Sequence, residues 1–235
     1  MAVERLPDLN IPRAGHSVFC TGGEVTVVGG HTSGFVLTPT AEYFRDSACH
    51  LVPTVYTHDN GAAVVLRQGS KALIAGGHER NLGIGQSFEV EMYDCNSHSF
   101  EGFGCLDKKR ALAQGTELAD GCALISGNHK GNDALELFDG HQTFLPVKEV
   151  SSWRFCPYVL RISGGDALVF GTVWRGGRTE PCDTVDRLKG PPFTVSLLKT
   201  WMPMTFDQTN HADAAFTGNT EANDYSYLIA AQDHN

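Results

Sequence analysis

The stretch ALIAGGHERN, Ala72 to Asn81, opens as a buried strand and breaks off at two glycines and a histidine. VTVVGGHTSG, Val25 to Gly34, does the same one interval earlier. The pattern recurs in diluted form in CALISGNH, ALVFGTVW and YLIAAQDH, so that the strand exits fall at Gly30, Gly77, Gly127, Gly171 and Ala231. A period of roughly 50 residues is the length of one four-stranded unit of a radial β array.

Each interval has the same internal order. HSVFCTGGEVTVVGG reads as two strands joined at Gly22-Gly23, which supply the positive φ angles of a tight hairpin. AAVVLRQGSKALIAGG repeats this with Gln68-Gly69, and YVLRISGGDALVFG with Gly164-Gly165. A polar loop follows the glycines. Then comes a third strand carrying an aromatic and an acid, in AEYFRDS, VEMYDCNSHSF and ALELFDGHQTF, and a fourth leads onward. The paired glycines are expected where a neighbouring unit's backbone comes close and a Cβ would collide. No G-x-x-x-x-G-K and no strand-to-helix context accompanies them, which excludes a phosphate loop of that type.

Gly29-Gly30 and Gly76-Gly77, the aromatic-Asp steps Tyr93-Asp94 and Phe138-Asp139, and the arginines before each first strand (Arg13, Arg110, Arg154) resemble kelch repeats. The resemblance runs from about Pro7 to His234. It departs from the pattern in the third to fifth units, which lack a full Gly-Gly, and at Phe100 and Phe144, where the family carries tryptophan. It implies an all-β, kelch-type β-propeller. The expected units are about 10–58, 59–107, 108–151, 152–208 and 209–235, with an N-terminal strand at 3–6. That makes four complete blades and one composite or partial blade. Two arrangements follow: a closed five-bladed body in which strand 3–6 pairs with the hairpin 212–231, or a fragment of a six- to seven-bladed propeller.

Composition narrows the partners. A net charge of −9 with no Lys/Arg cluster argues against nucleic acid. No apolar run approaches the ~20 residues of a membrane span, and the first ten residues lack the pattern of a signal peptide. Seven scattered cysteines without a C-x-x-C pair read as small buried hydrophobes of a reducing compartment. The expected setting is cytoplasmic, or extracellular if a leader has been removed.

In a propeller the loops after second strands and the loops between blades share one face, and binding residues concentrate there. The candidate binding set is Arg13, His31, His78, Arg110, Trp153, Arg154, Trp174 and Arg175. The arginines could present guanidinium forks to a carboxylate, with the tryptophans covering a sugar ring, or they could tie one blade to the next. His31, His78, His129 and His234 lack H-x-H or H-E-x-x-H spacing, so no metal and no cofactor is expected. Neither the Tyr, His and Cys set of kelch-type copper oxidases nor a G-x-S-x-G elbow can be placed. The leading expectation is a non-catalytic propeller binding a protein or a small polar or acidic ligand, such as a sugar, on the loop face. Protein binding would use Phe35, Leu37, Leu82, Ile84 and Trp174. The rival is an enzyme similar to kelch-type sialic acid mutarotases.

Overall fold

The computed structural model describes residues 5–66, 69–118, 121–127, 135–147, 154–162, 165–175, 178–180, 184–190 and 194–199. Four antiparallel sheets follow one another along the chain. The first holds β1 (Ser17–Thr21), β2 (Glu24–Val28), β5 (Thr40–Arg45) and β6 (Ala48–Pro53), with a small hairpin of β3 (His31–Thr32) and β4 (Val36–Leu37) in its middle loop. The second holds β7 (Ala62–Val65), β8 (Lys71–Ala75), β9 (Ser87–Asp94) and β10 (Ser99–Arg110). The third holds β11 (Gln114–Glu117), β12 (Ala123–Ser126), β13 (Leu135–Phe138) and β14 (Phe144–Val147). The fourth orders β15 (Arg154–Arg161), β16 (Ala167–Arg175), β18 (Thr184–Lys189) and β19 (Thr194–Lys199), and β17 (Arg178–Glu180) pairs with the extended end of β16. The described residues contain no α-helix, and thus none long and apolar enough to cross a membrane. This is an all-β, propeller-like fold.

The sheets pack face to face, and this explains the continuous apolar run of β8. Ala72 and Ile74 join Phe19, Val28 and Ala41 of the first sheet. Leu73 and Ala75 join Ala113, Ala123, Ile125 and Phe138 of the third. Successive side chains of a strand point to opposite faces, so a sheet covered on both sides needs apolar residues at every position. Leu118, Leu124 and Leu135 of the third sheet meet Ala167, Val169 and Leu188 of the fourth in the same way.

Gly22 and Gly23 carry φ of 58° and 82°, and the pairing of Thr21 with Glu24 closes the two-residue hairpin that the sequence predicts. The exit glycines meet the next blade. A Cβ on Gly29 would collide with the carbonyl oxygen of His58, and one on Gly76 would lie 2.8 Å from the carbonyl oxygen of Arg110.

Several expectations are corrected. The third strands end at the aromatic-Asp step rather than running through it. Asp94 accepts from the Asn96 N–H, and Asp139 from the N–H groups of His141, Gln142 and Thr143, so each carboxylate turns the chain. Where a polar loop is expected after the strand exit at Gly171, β16 runs on to Arg175 and pairs antiparallel with β17, Arg175 opposite Arg178. Arg5 and Leu6 belong to no strand. The expected pairing with 212–231, and the fifth unit, lie outside the described residues.

Candidate functional site

Arg13 and Arg110 sit just before β1 and β11, and the fold turns both inward. Arg110 gives its Nε–H to Glu136 Oε1 at 2.8 Å, and both side chains are 0% exposed. Glu136 also accepts the N–H groups of Asp107 and Lys108. Arg13 makes the same contact one sheet back, with Nη2 at 2.8 Å from Glu42 and Nη1 donating to the carbonyls of Gly29 and Thr40. Between them His58 takes the arginine's place, with Nδ1 bonded to the Gly76 carbonyl and Nε2 3.1 Å from Glu91. Glu42, Glu91 and Glu136 lie opposite Val27, Ile74 and Ile125 of the second strands. Asp186, opposite Val169 in the fourth sheet, is buried at the same register. Three buried braces thus stitch the loop between blades to the third strand of the following sheet.

Burial pushes the Glu42 carboxyl up, but bonds from Cys49, Arg13, Asn10 and Ile11 outweigh it and hold it below its usual range. The same arrangement, led by burial, pushes the Cys49 thiol up to about 11. A thiol so placed is unreactive at neutral pH.

Two residues after each brace the backbone is left-handed: Gly15, Asn60 and Leu112 have φ of 65°, 55° and 50°. The Asn60 N–H donates to the Gly15 carbonyl, and the Ala113 N–H to the Asn60 carbonyl, linking the lead-ins of three consecutive blades. Only a residue without Cβ fits at the first step, because one on Gly15 would strike the Asp59 carboxylate.

Asp59 organises the loop face. His31 Nδ1 lies 2.7 Å from one of its oxygens and His78 Nδ1 2.8 Å from the other. The structure therefore brings together two of the predicted site residues, from the middle loops of successive blades, on one buried carboxylate. Burial pushes the Asp59 carboxyl up, but the bonds from His78 and His31 and their charge prevail and hold it below its usual range. A carboxyl depressed in the folded state stabilises fully above its unfolded value of about 3.9, and that contribution is lost as pH falls through the folded value. Asp59→Asn, which cannot accept at both oxygens, is expected to cost about 2 kcal/mol. Urea midpoints at pH 7 and pH 3 test this: the gap between variant and wild type is expected to narrow at the lower pH.

Above this clasp each middle loop makes a 3-10 turn, at Ser33–Phe35 and at Asn81–Gly83. Phe35 and Leu82 each stand four residues after the histidine, and both have positive φ, 54° and 66°. Phe35 stacks on His31 with ring centroids 4.6 Å apart. The Leu37 N–H donates to Asn81 Oδ1 at 3.0 Å, joining the two loops. The outcome is an exposed apolar ridge of Phe35 (54%), Val36 (48%), Leu82 (66%) and Ile84 (52%). Beside it lies an open depression of about 410 Å³ lined by residues 12–14 and 31–35.

Of the remaining predicted residues, Arg154, Trp174 and Arg175 lie in β15 and β16, and their side chains are outside the description, as are Trp153, His129 and His234. Among the described residues no group of three or more His, Cys, Asp or Glu is arranged to hold a metal. Asp59 and Arg80 were absent from the expected set. A signal for the ridge existed in the shared spacing of His31 to Phe35 and His78 to Leu82.

No family model matches the chain, and no curated protein matches it in sequence. Among solved structures it is similar to YjhT, with 14% identity and a TM-score of 0.60, the match covering 80% of this chain and 69% of that one. At this identity the likeness speaks for the propeller-like fold alone.

Proposed function

We propose that this chain is a non-catalytic, kelch-like propeller whose loop face binds a protein partner. The ridge carries the reading. Four large apolar side chains from two blades stand in solvent, and contiguous patches of this kind mark interaction surfaces. Two of them hold a backbone conformation costing about 1–2 kcal/mol each outside glycine. At Leu82 burial does not repay that cost, since it is the most exposed of the large apolar side chains described. Strain kept at an exposed site points to use. The His31–Asp59–His78 clasp supplies the rigid base a binding loop needs.

Leu82→Gly separates this from a structural role. Glycine relieves the positive φ at a smaller entropic cost, so stability is expected to rise by about 0.5 kcal/mol. Partner binding is expected to fall at least tenfold, as for a buried anchor. A photo-crosslinking amino acid at position 82 should trap a protein that the same group at Leu145, exposed on the third sheet, does not. A crosslink at neither position, or equally at both, overturns the reading.

The sugar-acting alternative retains a concrete requirement. With Arg13 and Arg110 buried against carboxylates, an acidic sugar would have to be held by other groups.

A further inference from the structure

Resting on the reading above, we infer that the partner segment presents a carboxylate beside its apolar anchor, and that Arg80 receives it. Arg80 and Ile84 exchange backbone hydrogen bonds, N–H to carbonyl in both directions, at 3.0 and 3.3 Å. Residues paired in this way across an antiparallel bridge carry their side chains on the same side. The exposed guanidinium of Arg80 therefore stands next to Ile84, on the rim of the ridge.

This cation has no carboxylate partner, unlike most of its counterparts. Among the described Lys and Arg side chains, those of Arg5, Arg13, Arg45, Lys71, Lys108, Lys109, Arg110, Arg161, Arg178 and Arg187 each have a carboxylate within 4.0 Å. Arg80 has none, and of the two described cations without one, the other being Lys189 at the end of β18, it is the one beside the ridge, in a chain whose acids outnumber its bases by nine charges. The neighbouring acid, Glu79, is taken by Lys109 at 3.2 Å. A guanidinium fork fits a carboxylate bidentately, and it serves an interface by choosing the partner at the rim while the apolar centre supplies affinity. An anionic membrane is a poorer occupant. One cation gives about 1 kcal/mol at such a surface, where recognition takes a cluster of them, and the ridge has no tryptophan or tyrosine.

The test uses the intact chain on an array of twelve-residue synthetic peptides. Each carries two large apolar residues flanked by Asp/Glu, by Lys/Arg or by Ser. The acidic set is expected to bind at least tenfold more strongly than the basic set, with the preference shrinking as salt is raised. Arg80→Glu, at an exposed position, should leave the melting temperature unchanged and invert the preference. Leu82→Gly should weaken all sets together. Equal binding of the three sets, or an acidic preference that survives Arg80→Glu, overturns the carboxylate proposal while the protein-binding reading stands. Absence of binding to the acidic set overturns the proposal whatever the crosslink at position 82 shows. Binding to phosphatidylserine vesicles in place of any peptide, with no crosslinked protein, overturns both.

Discussion

Arg110→Ala is expected to lower folding stability by about 3–5 kcal/mol, the cost of leaving a buried carboxylate without its cation. The pair is fully enclosed, and Glu136 also terminates the N–H groups of Asp107 and Lys108, so its charge cannot simply be withdrawn. Glu136→Leu should be at least as damaging, because it removes the carboxylate facing the guanidinium and the acceptor of both backbone donors at once. Urea unfolding at pH 7 measures either. The same experiment discriminates between functions. If Arg110 served instead to hold the carboxylate of an acidic sugar, its removal would abolish sialic acid binding in a calorimeter and leave the unfolding midpoint near wild type. An unchanged midpoint would overturn the brace.

That contrast shows where the residues spoke clearly and where they did not. The glycine-terminated strands and their period state the architecture, because a repeated backbone problem, two sheets meeting closely, has one cheap solution in glycine. The equivalence of Arg13 and Arg110 is equally plain in the sequence, yet a cation before a strand reads the same whether it faces a channel or a buried acid. Its partner decides, and Glu42, Glu91 and Glu136 are inconspicuous beside the aromatic-Asp steps that follow them. The second brace is harder still, since His58 replaces arginine and hides the repeat. Asp59 illustrates the same limit. Its role needs two histidines that lie 28 residues before it and 19 residues after it, and no local pattern announces that a fold will bring all three together. The ridge was half legible: Phe35, Leu82 and Ile84 were foreseeable as apolar residues in polar loops, whereas the left-handed backbone of Phe35 and Leu82 was not, because neither Phe nor Leu favours it.

Gly29→Ala is the substitution that tests the close approach directly. Gly29 combines a φ of 70° with a Cβ direction aimed at the His58 carbonyl oxygen and carbon, so the new methyl meets backbone of the next blade that cannot rotate away. Gly23 supplies the control: its φ is 82°, and a Cβ there would have nothing within 4 Å. Both variants incur the left-handed penalty of about 1–2 kcal/mol. Gly29→Ala must in addition displace the lead-in that carries His58 and Asp59, for a total expected loss of about 3–5 kcal/mol, in the range of severe backbone and packing changes. The displacement reaches the loop face, because the Gly30 N–H donates to the His58 carbonyl, and His31, one residue further, reaches Asp59. Crosslinking at position 82 is therefore expected to drop in Gly29→Ala, at a temperature where the variant is still folded, and to be unaffected in Gly23→Ala. Equal destabilisation of the two variants would mean that the paired glycines serve their own turn only, and that the second blade does not rest on the first at this point.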